Sequence, residues 1–317
     1  MEFKLLKSSF NDPAINLAIE EYLTEGQDNV IYLWINKPTI VIGRNQNPYM
    51  ECNVKKINDD KVYLMRRRSG GGAVYHDLGN LNFTIISDKA LDTIDNNFNL
   101  IIKILKSFNI EARVSGRNDL EVDGRKISGS AFYENEHKYL HHATLLVDVD
   151  MSKLESYLKP SPLKLRAKGI ESVKARVINL KELNKDITTA GIIKGFEDTL
   201  GMKAIELDSN YIRNGEIQKR IATYRSFSWV YGEAMDYDIK LTNKFSWGLI
   251  DIDLKISDAT IKEARIYTDS IIIDVFKELE EALMGTSFKK SSIEALANDI
   301  IKNDEIKRDI ISLFDIS

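Results

Sequence analysis

Two short stretches hold the residue types best suited to chemistry, RRRSGGGAVYHDLGN (66–80) and NDLEVDGRKISGSAFY (118–133). In the first, three arginines lead into Ser69 and then Gly70, Gly71 and Gly72. Guanidinium forks suit carboxylates and phosphates. Glycines let a ligand lie directly on the backbone, and the N–H groups of such a turn can point at an anion. The stretch is not G-x-G-x-x-G, because Tyr75 holds the sixth position from Gly70, and no Gly-Lys-Ser/Thr follows to make a P-loop. Two readings stay open on pattern alone: an anion site, or a wide hairpin loop with solvated arginines.

The second stretch carries Asp123-Gly124, a strong two-residue turn signal. Such a turn pairs Val122 with Arg125, Glu121 with Lys126, Leu120 with Ile127 and Asp119 with Ser128. Alternation then puts Asp119, Glu121, Lys126, Ser128 and Ser130 on one face, and Leu120, Val122, Ile127 and Ala131 on the other. The polar face is either a plain solvated sheet surface or a lysine held rigidly beside an aspartate, a point charge for a phosphate or carboxylate.

Other candidates are weaker. His141 and His142 are adjacent in a strand pattern, so at most one can face a given site. With four histidines, no H-E-x-x-H and one cysteine, a zinc site is disfavoured. Ser69, Ser128 and Ser130 lack a G-x-S-x-G context. Cys52 reads as a buried, inert thiol. Trp34, inside VIYLWIN, is either core or an aromatic wall for an apolar ligand.

The elements that must position these residues follow from periodicity. DPAINLAIEEYL reads as a helix capped by Asp12, with Pro13 at its first position. VIYLWIN, TIVIGRNQN, KVYLMRRRS and NLNFTIIS read as strands, the first two buried on both faces. NNFNLIIKILKSF and ITTAGIIKGFEDTLGM read as helices, the latter stopping at Gly201, and YLHHATLLVDVD as another strand. After about residue 236, KFSWGLIDIDLKI and EARIYTDSIIIDVF read as strands, followed by helices around 276–284 and 291–315. This divides the chain into residues 1–236 and a small α+β domain, 241–317, with a linker over 233–242.

The 317 residues are 43% hydrophobic and 29% charged, with net charge −4 and pI near 5.8. That is ordinary globular composition and argues against a general nucleic-acid binder. A single cysteine allows no internal disulfide framework. The N-terminal MEFKLLKSSFNDP is not a signal peptide, and no apolar run is long enough to span a membrane. A cytoplasmic protein is the expectation.

Taken together, IGRNQNPYMECN (42–53), RRRSGGGAVYHDLGNLNFT (66–84), SGRNDLEVDGRKISGSAFY (115–133), LHHATLL (140–146) and KGIESVKARVINL (168–180) resemble the lipoate–protein ligase A family. FSWGLIDIDL followed by ARIYTDS is similar to that family's C-terminal accessory domain. The resemblance implies an α+β fold: a mixed-sheet catalytic domain shared with biotin ligases and octanoyltransferases, plus the accessory domain. It implies two steps. Lipoate and ATP, with magnesium, give lipoyl-adenylate and pyrophosphate. The lipoyl group then passes to a lysine of an apo lipoyl domain, in 2-oxoacid dehydrogenase subunits or the glycine-cleavage H protein.

Carried over residue by residue, the resemblance makes Lys126 the catalytic group, touching the α-phosphate and the lipoyl carbonyl. Arg67 falls near the lipoyl carboxyl end, with Gly70, Gly71 and Gly72 against the ligand. Ser69, Tyr75, His76 and Asn80 line the same loop. His142 faces lipoate, with Thr144 on its face and Ala131 nearby. Trp34 packs on the dithiolane ring. Asp119 sits at the nucleotide end and is the one magnesium candidate. The stretch 168–180 is a candidate cover over the adenylate, or an ordinary loop. Arg68, where many relatives have a small or apolar residue, faces solvent or docks acidic acceptor domains.

The resemblance leaves other readings standing: a lipoyl or octanoyl transferase using a cysteine thioester, which only Cys52 could supply, or a lipoate binder without turnover. The tail argues that no partner chain is needed, and a monomer is expected. A linker near 233–242 would let the accessory domain swing after adenylate forms.

Overall fold

The computed structural model describes residues 3–89, 94–116, 118–159, 176–232 and 236–315. Its strands are β1 (Lys4–Ser8), β2 (Val30–Trp34), β3 (Thr39–Ile42), β4 (Tyr63–Arg66), β5 (Val74–His76), β6 (Asn80–Asp88), β7 (Arg113–Ser115), β8 (Asp119–Val122), β9 (Arg125–Glu134), β10 (Lys138–Leu146), β11 (Ile205–Leu207), β12 (Ile239–Phe245), β13 (Gly248–Ser257) and β14 (Thr260–Thr268). Eight form one mixed sheet in the order β11-β1-β2-β6-β10-β9-β8-β7. A small sheet, β4-β3-β5, lies over it, and β12-β13-β14 make a third.

Side-chain alternation gives the large sheet two different faces. Along β6, Leu81, Phe83 and Ile85 point one way into a core with Phe98, Ile101 and Ile104 of the helix Ile94–Lys106 and Phe196 of the helix Thr189–Leu200. Gly201, in a left-handed conformation at φ +67°, ends the second helix as its sequence predicts. Asn80, Asn82 and Thr84 point the other way, toward the small sheet and the helix Pro13–Thr24. Asp12 caps that helix, accepting from the N–H groups of Ala14 and Ile15. The candidate ligand-binding residues lie on this second face.

Three expectations need correction. The glycine stretch is not a hairpin loop: β3 lies between β4 and β5, parallel to one and antiparallel to the other, so the loop crosses over β3. The 118–133 hairpin keeps the pairs Val122–Arg125 and Glu121–Lys126, then slips by one, so that Leu120 meets Ser128 and Asp119 meets Gly129. Ile127 is the extra residue of this bulge. The slip turns Ser128 and Ser130 away from the polar face. It buries them on the core side, where the Ser130 hydroxyl meets Nε2 of His141 at 2.8 Å.

The C-terminal unit has three strands, and its expected 291–315 helix is two, Lys290–Ile300 and Asp304–Leu313. Asn303 makes the break by capping the second, accepting from the N–H groups of Glu305 and Ile306. These helices and the helix Asp274–Leu283 close a separate apolar core around Ile252, Leu254, Phe276 and Ile310. The unit docks on the catalytic side through backbone bonds, Thr268 N–H to Asn45 O at 2.8 Å and Gly71 N–H to Ser270 O at 2.9 Å.

Candidate active site

The three arginines do three different structural jobs. Arg66 is buried and donates to the carbonyls of Gly43, Arg44, Gln46, Trp229 and Val230, with no carboxylate partner among the described residues. Arg67 reaches the carbonyls of Val41, Gly70 and Gly72 and the hydroxyl of Ser69. Its fork therefore shapes the glycine loop from beneath. Arg68 neither faces solvent freely nor offers a spare charge for docking. It pairs with Glu21 at 2.9 Å, and its guanidinium lies 4.1 Å from the centre of the Trp229 ring.

The glycines are needed where the backbone is crowded. Gly71 has φ +90°, and a Cβ on Gly43 would come within 2.1 Å of the Gly71 carbonyl oxygen. A Cβ on Gly70 would strike the carbonyl oxygens of Ser270 and Ile271 at 2.3 and 2.8 Å. Around Gly72 there is open space. The loop is thus pinned on one side to the small sheet and on the other to the accessory domain.

Facing the loop, the large sheet presents one continuous row. Trp34 pairs with Asn82, Asn82 with Thr144, the Thr144 hydroxyl accepts from Gly129 N–H at 3.3 Å, and Gly129 pairs with Asp119. Four strand spacings of about 4.8 Å make this row about 19 Å long. It has an aromatic end at Trp34 and a charged end, where Lys126 Nζ lies 2.8 Å from Asp119 Oδ1. The next row carries Thr84, His142 and Ala131.

A hydrogen-bond chain runs across this face of the sheet. Trp34 Nε1 donates to Thr84, Thr84 donates to Glu20, and Glu20 lies 2.9 Å from His142 Nδ1. His142 Nε2 is 2.7 Å from Ser69 Oγ, which Arg67 also contacts. His76 packs edge-on to Trp34 and touches Asn36 at 3.2 Å. Burial first, then the nearby Arg67 guanidinium, pulls His76 down to about 3, so it is neutral. Among the described residues, His76 Nε2 and Asn80 Oδ1 are buried without a hydrogen-bond partner. Ser128 Oγ and His141 Nδ1, on the core face, are also unpartnered, so these atoms do not by themselves mark a ligand site.

Most sequence-derived candidates thus converge: Trp34, Arg67, Ser69, Gly71, His76, Asn80, Asp119, Lys126, Ala131, His142 and Thr144. Gly70, expected against the ligand, instead packs on the carbonyls of Ser270 and Ile271 in the C-terminal unit. Tyr75 does not converge either. Its side chain points to the far side of the small sheet, 6.0 Å from the Tyr157 ring, because alternation opposes it to His76. Residues 168–175 of the candidate cover lie outside the described residues. The rest of that stretch docks beside Lys126, with Ile178 N–H bonded to Lys126 O at 3.0 Å. Glu20, Thr84, Asn36 and Asn82 went unrecognised. Asn16 and Glu20, four apart and buried on a helix otherwise packed by Ala18, Ile19 and Leu23, were the signal available.

Comparison with known proteins decides the assignment. The lipoyl protein ligase A/B catalytic domain matches residues 12–201, and the bacterial lipoate protein ligase C-terminus matches 234–314. The chain belongs to the lipoate–protein ligase A family. The lipoate–protein ligase A of Psychrobacter cryohalolentis is 39% identical, covering 97% of this chain and 94% of that one. Its counterpart in Bdellovibrio bacteriovorus is 40% identical over 96% and 94%. The crystal structure of P. falciparum LipL1 in complex with lipoate superposes with a TM-score of 0.87, at 30% identity and 98% coverage of both chains. A lipoate–protein ligase A bound with ATP shares the fold, with a TM-score of 0.60 and 23% identity over 73% of this chain and 98% of that one.

No helix among the described residues is long and apolar enough to cross a membrane.

Proposed function

We propose that lipoate and ATP lie end to end along the Trp34–Asp119 row and react beside Lys126. As a member of the lipoate–protein ligase A family, the chain is an ATP-dependent lipoate–protein ligase. In the first step a lipoate carboxylate oxygen attacks the α-phosphorus, and pyrophosphate leaves. Two anions must approach, and an ammonium on a rigid strand offsets their repulsion and the charge that develops. Lys126 stands at the charged end of the row for that purpose. The buried Trp34 end suits the apolar dithiolane and its chain.

In the second step the amine of an acceptor lysine attacks the carbonyl of the mixed anhydride, and AMP leaves. The anhydride is already reactive, so holding it beside the incoming amine supplies much of the rate. The acceptors are lipoyl domains, which we propose to be those of 2-oxoacid dehydrogenase subunits and the glycine-cleavage H protein. We also propose that the enzyme acts as a cytoplasmic monomer, with residues 1–236 as its catalytic unit and 241–317 as its accessory unit.

Among the described residues no group of three or more His, Cys, Asp or Glu side chains is placed to hold a metal. Asp119, the magnesium candidate at the nucleotide end, is shared with Lys126. That fits magnesium arriving on ATP, held chiefly by the phosphates. The thioester alternative is disfavoured, since Cys52 is fully buried with Ile40, Ile57 and Tyr157 on the side of the small sheet away from the pocket.

The observation that carries the reading is the unbroken row from Trp34 to Lys126. Its test is the intact mass of an apo lipoyl domain incubated with the enzyme, lipoate and Mg-ATP, beside controls lacking ATP or carrying Lys126→Ala. A lipoyl mass gain that needs both is the expected result. A gain without ATP, or undiminished with Lys126→Ala, would overturn it.

A further inference from the structure

We propose that Gly129 is a positioning residue for Lys126: its missing side chain is the slot in which the lysine lies. The proposal rests on the reading of Lys126 given above. In a regular strand residues 126 and 129, three apart, point to opposite faces. The bulge at Ile127 removes that opposition, since Glu121 pairs with Lys126 while Asp119 pairs with Gly129. Lys126 then folds back over Gly129. A Cβ built on Gly129 would lie 2.7 Å from Lys126 Nζ and 2.8 Å from Cε, with Asp119 Oδ1 at 3.8 Å.

Backbone conformation does not require this glycine, because Gly129 is absent from the positive-φ residues. Nor does core packing require it, because among the described residues the next nearest heavy atom to the built Cβ after the lysine's end is the Asp119 oxygen, at the ordinary contact distance of 3.8 Å. What the glycine provides is a path for the lysine to the Asp119 carboxylate. From there the ammonium faces the junction between the Thr144 and Asp119 positions of the row. The main chain of Lys126 is held separately by Ile178 N–H, so displacement falls on the side chain alone.

Gly129→Ala tests this. The Cβ meets only the flexible end of Lys126, so the melting temperature should stay within a few degrees of wild type. Lipoate-dependent ATP–pyrophosphate exchange should lose about 10- to 100-fold in kcat, the scale of a misplaced reacting group. The KM for lipoate should hold, since the Trp34 end is untouched. Gly129→Ala should add nothing in a Lys126→Ala background, where a general structural defect would add its full cost. A second readout needs no turnover: the rate at which an amine-reactive reagent labels Lys126, followed by peptide mass spectrometry. Drawn off Asp119, the amine should label several-fold faster in Gly129→Ala.

Wild-type exchange and labelling in Gly129→Ala would overturn the positioning role, as would a loss that persists undiminished without Lys126. Full exchange by Lys126→Ala would instead sink the reading of Lys126 itself, and the proposal with it.

Discussion

Ser69 Oγ lies 2.7 Å from His142 Nε2, and this contact joins the glycine loop to the large sheet. The other ring nitrogen faces Glu20, so Nδ1 carries the proton and Nε2 accepts from the Ser69 hydroxyl. Arg67 Nε donates to the same oxygen. Ser69→Ala removes the link and leaves His142 Nε2 buried without its donor, a cost of about 1–3 kcal/mol. The expected outcome is a KM for lipoate raised about tenfold, with a smaller change in kcat, in steady-state lipoylation assays. An unchanged KM would mean the clasp plays no part in binding.

Gly70 touches the accessory domain rather than the pocket. A Cβ there meets two backbone oxygens that cannot rotate away. Gly70→Ala should therefore loosen the docked arrangement while each core stays folded. Small-angle scattering of the two proteins without ligand checks this, with a larger radius of gyration expected for the variant. Superimposable profiles would show that the contact yields without undocking. The same measurement with and without a lipoyl-adenylate analogue tests whether the accessory domain swings after the first step.

Arg66 and Arg68 are neighbours in sequence but should differ sharply when replaced. Arg66→Ala strips five carbonyls, three of them in buried bonds, of their donor and should cost about 3–5 kcal/mol. Arg68→Ala loses a half-buried pair with Glu21 and the Trp229 contact, about 1 kcal/mol each. Urea unfolding of both variants decides; equal losses would contradict the assignment of roles.

Burial pulls His76 and His141 down to about 3, and both are neutral in the folded chain. Unfolded, each titrates near 6.5. Between those values the unfolded chain binds protons that the fold refuses, so stability is full above about 6.5 and falls as pH drops toward 3. Each ring contributes about 1.4 kcal/mol per pH unit in that window. Urea midpoints from pH 7.5 down to 5.0 should decline below about 6.5, and His141→Gln should remove part of the slope. A flat profile would show that these rings are not held neutral.

Local chemistry made much of this protein legible from its sequence. Asp12-Pro13 fixed a helix start, Gly201 a helix end and Asp123-Gly124 a turn, because capping and positive φ depend on the residues themselves. Alternation rightly sent His141 and His142 to opposite faces. The family's motifs picked out Lys126, Ser69 and His142, which the fold brings together.

What the sequence could not decide was anything resting on register or on a partner from elsewhere in the chain. The bulge at Ile127 moved Ser128 and Ser130 from the ligand face into the core and put Gly129 beneath Lys126, because one extra residue inverts every side chain after it. Tyr75 left the pocket because β5 pairs with β3 and turns its ring to the far side. Glu20 entered the pocket from a helix some 120 residues before the histidine that it orients. The arginines have types that suit an anion, yet Arg66 and Arg67 spend their donors on carbonyls and Arg68 on Glu21. Only the packed chain sets which acceptors stand within reach, since burial makes every unbonded carbonyl costly.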